Sequence, residues 1–129
     1  MSKVDITSRK DIEVLIDAFY DKIKVDDTIG FMFSGVDWKR HLPTMYDFWD
    51  NVLFYTGNYT GNPMQKHQIA HQNHPMSISH FKRWLELFNE TIEEKYSGPN
   101  CNTLKERANN IATIMQLRII GNENNHSLI

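Results

Sequence analysis

Cysteine is almost missing from this chain: Cys101 is its only one. No intramolecular disulfide framework is available, and a reducing compartment is expected. Glycine and proline are scarce as well, at six and four residues, and no two glycines are adjacent. No uninterrupted apolar run approaches the length needed to cross a bilayer, so no membrane span is expected. Charge of one sign is missing too. A formal net charge of −2 lacks the electrostatic footprint of a nucleic-acid or anionic-lipid binder. The opening MSKVDITSRKDIE has bases with no hydrophobic stretch behind them, so no signal peptide is expected and the cytoplasm is the expected location.

What is there is unusual for 129 residues: six His, three Trp, five Tyr, seven Phe and six Met. The length allows one hydrophobic core, hence one domain over 1–121, with 122–129 read as a tail. Apolar residues recur at helical spacing nearly throughout, and period-two alternation is hard to find. The class is all-α.

The first helix reads from Ser8, where Ser8 and Asp11 make an imperfect capping box. Ile12, Leu15, Ile16, Phe19 and Ile23 form its stripe, and Val25-Asp26-Asp27 ends it. A loop with Gly30, Phe31, Phe33 and Gly35 follows. The second helix begins near Asp37 or at Pro43, since proline suits a first turn better than an interior one. It carries Leu42, Met45, Phe48, Trp49, Val52 and Leu53. Between Pro63 and Ala70 there is room for about two turns. The next helix spans about Ser79 to Tyr96, with Phe81, Trp84, Leu85, Phe88 and Ile92 inward, and Gly98-Pro99 stops it. The last reads from Thr103, whose partner Glu106 completes a capping box, and buries Leu104, Ala108, Ile111, Ala112, Met115 and Ile119. Gly121 is its expected terminator. The runs Asp26-Asp27 and Lys105-Glu106-Arg107 read as solvated faces.

Two features bear on chemistry. His67 and His71 stand four apart, the spacing of a zinc-ligand pair on one helical turn, but two ligands do not make a site. A di-iron bundle would need paired Glu-x-x-His motifs, and only Glu123 to His126 qualifies. The aromatics have a plain reading as core. Against it, Tyr20, Trp49 and Trp84 carry polar tips beside apolar stripes, and a buried O–H or N–H needs a partner that a bound ligand would supply.

Taken in order, Tyr20 in Phe-Tyr-Asp-Lys-Ile, Trp38-x-x-His41, Asp47-Phe48-Trp49, Tyr59-x-Gly61-x-Pro63-x-x-x-His67 and His80-Phe81-x-x-Trp84-Leu85 resemble the group III truncated haemoglobins, the bacterial two-over-two globins. The resemblance runs from about Asp11 to Met115. The absence of Gly-Gly motifs, typical of the other truncated-globin groups, agrees with it. It implies a two-over-two helical sandwich around haem b (iron protoporphyrin IX). It further implies that His67 is the proximal ligand of a five-coordinate iron binding dioxygen or another diatomic ligand, with His71 and His41 as rival ligands. Tyr20, His41 and Trp84 would face that ligand as hydrogen-bond donors. Phe33, Met45, Phe48 and Phe81 would form apolar walls, and Lys66 would offer a cation to the haem propionates.

Several donors slow ligand release, which points to redox chemistry on nitric oxide or peroxide, or to ligand sensing, rather than to bulk oxygen transport. Nitric oxide dioxygenase or peroxidase-like activity is left open. No flavin or nicotinamide fingerprint is present, so electrons would come from a separate reductase. A monomer is expected. The competing readings are a cofactor-free helical protein-interaction module and a zinc-binding helical protein.

Overall fold

The computed structural model describes residues 3–59, 61 and 76–127, with side chains described through 120. Among the described residues there are four α-helices and no strand: α1 (Arg9–Val25), α2 (Trp38–Phe54), α3 (Ile78–Lys95) and α4 (Pro99–Ser127), with a 3-10 turn at Gly30–Phe33 between α1 and α2.

Helix α1 starts where the sequence places it. Ser8 Oγ accepts the Asp11 N–H at 3.4 Å, while Asp11 reaches back to the Thr7 N–H at 2.9 Å rather than to Ser8. Its stripe of Ile12, Leu15, Ile16, Phe19 and Ile23 is buried, joined by Tyr20. Helix α2 begins at Trp38, not at Pro43, so the proline lies inside it. The early start is set by the Asp37 carbonyl, which accepts the N–H groups of Arg40 and His41 at 3.1 and 2.9 Å. Tyr55 ends the helix in a left-handed conformation, φ 55°.

Helix α3 is capped by Ser77, which exchanges hydrogen bonds with His80 in a reciprocal box. Its buried face holds Phe81, Leu87, Phe88, Thr91 and Ile92. Thr91 is tolerated there because its hydroxyl donates to the Leu87 carbonyl at 2.6 Å. Trp84 and Leu85, expected inward, are half-buried.

Helix α4 differs most from the sequence reading. It begins at Pro99 rather than at Thr103, because its first N–H groups find an acceptor far away in sequence. Asp5 takes those of Asn100 and Cys101 at 2.9 and 3.0 Å. Proline fits a first helical position, where its missing N–H costs nothing. The helix passes through Gly121 and continues to Ser127. Leu104, Ala108, Ala112, Met115 and Ile119 are buried, and Ile111 is half-buried.

α1 packs on both α2 and α3, and α4 packs on both α3 and α2. Each helix thus touches two others, and the ring of contacts closes as two pairs laid face to face. At its centre Trp49 of α2 stacks on Trp84 of α3 at 6.0 Å, and Trp84 lies nearly parallel to Phe88 at 5.3 Å. Phe19 of α1 meets both Trp84 and Phe88 edge-on. These offset and edge-on contacts are the favoured geometries for aromatic rings.

A second departure lies at the end of α1. Asp26, read as part of a solvated run, has a side chain only 7 % exposed, and Arg83 of α3 binds it at 2.8 Å.

Candidate functional site

Beside the aromatic centre the helices leave a cavity of about 600 Å³, a size typical of cofactor and small-ligand sites. Tyr20, Phe33, His41, Met45, Phe48, Phe81 and Trp84 all line it, and so does Trp49. The structure therefore places on one cavity every residue expected at the haem site except His67 and Lys66, which lie outside the described residues, as does the rival His71. Phe33, His41, Met45, Phe48 and Trp84 are only half-buried although they face inward. The cavity accounts for it, since they border space where packed core would otherwise be.

Tyr20 is fixed from several sides. Its ring lies 5.0 Å from Phe19, 5.2 Å from Trp38 and 5.3 Å from His41, the last pair edge-on. Burial alone pushes its hydroxyl well above the ordinary tyrosine range, because the phenolate would lose its hydration. The group is therefore a neutral O–H and a donor. His41, one turn into α2, completes a triangle of rings with Tyr20 and Trp38, the latter met edge-on at 5.6 Å. Trp84 is held by its stack with Trp49 and Phe88, and its place in the wall follows from that packing.

Arg40, Tyr59 and His80 line the cavity as well, none of them with a site role expected from the sequence. Arg40 is exposed yet lines the cavity. Its signal was adjacency to His41 on a helix whose first turn borders the cavity. Tyr59 rests edge-on against Phe48 at 5.1 Å, and its hydroxyl is buried with no hydrogen-bond partner among the described residues. The Tyr59-x-Gly61 spacing has a physical cause. A Cβ on Gly61 would sit 2.5 Å from the Tyr59 hydroxyl, so a side chain there would displace the ring. His80, four residues before Trp84, also lines the cavity. Its Nδ1 accepts the Ser77 N–H at 3.0 Å, a pattern that assigns the ring proton to Nε2 and makes that nitrogen a donor. The rest of the wall is largely apolar, with Ile29, Met32, Met76, Ile111, Ala112 and Met115. No cluster of His, Cys, Asp and Glu suited to a metal ion exists among the described residues.

A helical sandwich enclosing a largely apolar cavity with a buried phenol, an imidazole and an indole on its wall defines a globin-type cofactor protein. Residues 5–117 match the bacterial-like globin family, and the chain belongs to that family. It is similar to the group 3 truncated hemoglobin ctb of Campylobacter jejuni, at 29 % identity over 120 residues, covering 88 % of this chain and 92 % of the relative. The crystal structure of the group III truncated hemoglobin from Campylobacter jejuni superposes with a TM-score of 0.81 at 29 % identity, covering 91 % of this chain and 94 % of that one. The fold is that of a truncated globin, and family membership implies haem binding and a diatomic gas as ligand. No helix among the described residues is long and apolar enough to cross a membrane.

Proposed function

We propose that the protein holds haem b through His67 and retains a diatomic ligand, dioxygen or nitric oxide, against Tyr20, His41 and Trp84. The observation that carries this reading is the Tyr20 hydroxyl, kept protonated by burial on the wall of an otherwise apolar cavity of about 600 Å³. Both the volume and the apolar wall suit a porphyrin. The bound haem would supply the ligand-binding iron and one-electron chemistry.

The chain's own residues do the rest. Tyr20 donates a hydrogen bond to a ligand that gains negative charge on binding. Trp84 offers an indole N–H, and His41 an imidazole able to move a proton. If each donor contributes about 1–2 kcal/mol, two of them slow ligand release by tens to several hundredfold. Phe33, Met45, Phe48 and Phe81 exclude water, which strengthens those bonds and protects the ligand from displacement. Lys66 and the exposed Arg40 would answer the two haem carboxylates. A ligand held this firmly suits redox detoxification of nitric oxide or peroxide, or ligand sensing, better than bulk oxygen delivery. Turnover would draw electrons from a separate reductase, and the protein is expected to act as a monomer in the cytoplasm.

The test is an absorption spectrum of haemin-reconstituted protein in ferric, dithionite-reduced and carbon-monoxide forms, for wild type and His67→Ala. A carbon-monoxide-sensitive Soret band that His67→Ala abolishes is expected. A band that persists in His67→Ala would move the ligand to His71 or His41. Failure to take up stoichiometric haem would sink the reading in favour of a protein-interaction module.

A further inference from the structure

Arg83 does not line the cavity, yet it is bonded to the segment that builds one of its walls. That segment hangs on Asp26. The Asp26 N–H donates to the Ile23 carbonyl at 3.1 Å, and its own carbonyl accepts from Gly30 at 2.9 Å. Carboxylate oxygen Oδ2 accepts the N–H groups of Thr28 and Ile29 at 3.0 and 3.2 Å. The other oxygen, Oδ1, accepts Arg83 Nε at 2.9 Å and Nη2 at 2.8 Å. One aspartate therefore takes three successive N–H groups, those of Thr28, Ile29 and Gly30, on the link from α1 to the 3-10 turn, and one arginine ties that aspartate to α3.

The link has no slack. A Cβ on Gly30 would stand 3.0 Å from the carbonyl oxygens of both Ile23 and Lys24, so the backbone there is pressed against the last turn of α1. Ile29 of the link and Met32 and Phe33 of the turn all line the cavity, and the Phe33 ring lies 6.1 Å from Tyr20. On the other side of the ion pair, Arg83 sits between His80 and Trp84, which line the cavity from α3. Phe31 of the turn meets His80 edge-on at 5.8 Å. The ion pair thus joins two segments of the cavity wall, with the Asp26 side chain only 7 % exposed and the Arg83 side chain 37 %.

We propose that Arg83 is a positioning residue: through Asp26 it holds the 3-10 turn at a fixed distance from Trp84, and so sets how closely Tyr20 and Trp84 close on a ligand. This rests on the haem reading above. The arginine fork matters, because a lysine would offer a single flexible point of attachment.

The experiment compares wild type, Arg83→Ala, Arg83→Lys and Asp26→Asn. In haem-free protein, amide hydrogen exchange at Ile29 and Gly30 is expected to accelerate about tenfold in Arg83→Ala, with the core amides of Ile16 and Ile92 unchanged. In haem-loaded protein, the carbon monoxide dissociation rate is expected to rise several-fold and the bound C–O stretching band to shift and broaden. Arg83→Lys should fall between wild type and Arg83→Ala. The Arg83→Ala/Asp26→Asn double variant should add little to either single change. Unchanged exchange at Ile29 and Gly30 overturns the proposal, as does a uniform loss of protection with an unchanged dissociation rate. A wild type that takes up no haem overturns the haem reading and this proposal with it. A wild type that binds haem while the variants match it in rate and C–O band overturns this proposal alone.

Discussion

Asp5 and Cys101, 96 positions apart, meet at the start of α4: the Asp5 carboxylate accepts the Cys101 backbone N–H at 3.0 Å. Burial, and then the neighbouring carboxylate, push the Cys101 thiol up to about 11. The thiolate is the reactive form, and Cys101 is 1 % exposed. Native protein should therefore resist alkylation by iodoacetamide at pH 8, and denaturant should release full reactivity. Rapid labelling of the folded protein would contradict this placement.

The same contact makes a substitution two residues before Asn100 costly. Gly98 has φ 149°, and a Cβ there would lie 2.4 Å from the Asp5 carboxyl carbon. Gly98→Ala would strain the backbone and push Asp5 off the helix start. A loss of about 2–4 kcal/mol is expected in denaturant unfolding, the sum of backbone strain and a lost cap. Asp5→Ala, which removes the cap alone, should cost about 1–2 kcal/mol.

The aromatic centre predicts a larger effect. Trp49 is 2 % exposed and stacks on Trp84 while touching Phe48 and Phe88. Trp49→Ala should destabilise by about 3–5 kcal/mol, and Trp49→Phe by markedly less. Unfolding curves in urea measure both. Equal costs would mean that the stack contributes little beyond filling space.

Acid should act on the clasp between α1 and α3. The Arg83 hydrogen bond, opposed by burial and aided by the Ile29 and Thr28 N–H groups, holds the Asp26 carboxyl below the usual carboxylate range. A carboxyl depressed on folding adds stability above its unfolded pKa of about 3.9, and that stability is lost as pH falls through the folded value. The stability gap between wild type and Arg83→Ala should be full above about pH 5 and should close below about pH 4. A gap independent of pH down to acid unfolding would show that Asp26 does not carry the effect.

Tyr20 predicts the opposite pH behaviour for ligand release. Its hydroxyl lies well above the ordinary range, so it remains a donor across neutral and mildly basic pH. Tyr20→Phe should raise the dioxygen dissociation rate about tenfold, corresponding to a hydrogen bond of about 1.4 kcal/mol. In wild type that rate should stay flat through about pH 10, where a free tyrosine would already be half ionised. A rise centred near neutral pH would assign the controlling donor to His41 instead.

How much of this was legible in the sequence depends on how far apart the partners stand. Local signals read well: the Ser8 cap, the Ile12–Ile23 stripe and the inward face of α4 follow from helical spacing, and the structure repeats them. Tyr20, His41, Phe48 and Trp84 were named from their order along the chain, and they meet in one cavity. Long-range pairings were not legible. Thr103 with Glu106 looks like a helix start because both residues are local, whereas the true cap comes from Asp5, 95 positions before Asn100. Asp26 looked solvated because its partner, Arg83, lies 57 positions on. Tyr59 could have been suspected from its spacing to Gly61, but only the fold shows what that glycine makes room for.

Pro43 gives α2 an uneven stiffness. Lacking an N–H, it cannot bond to the Lys39 carbonyl, and Thr44 spends its hydroxyl on the Arg40 carbonyl at 3.2 Å, a contact that tends to bend helices. The rung missing from the ladder separates the turn carrying Arg40 and His41 from the body that carries Phe48 and Trp49. That first turn is held from outside its own helix: Trp38 and His41 both pack on Tyr20, at 5.2 and 5.3 Å, and Lys24 lies over the Trp38 ring. The imidazole's place in the cavity wall is therefore set by its aromatic neighbours on α1 and in its own turn more than by the ladder of its helix.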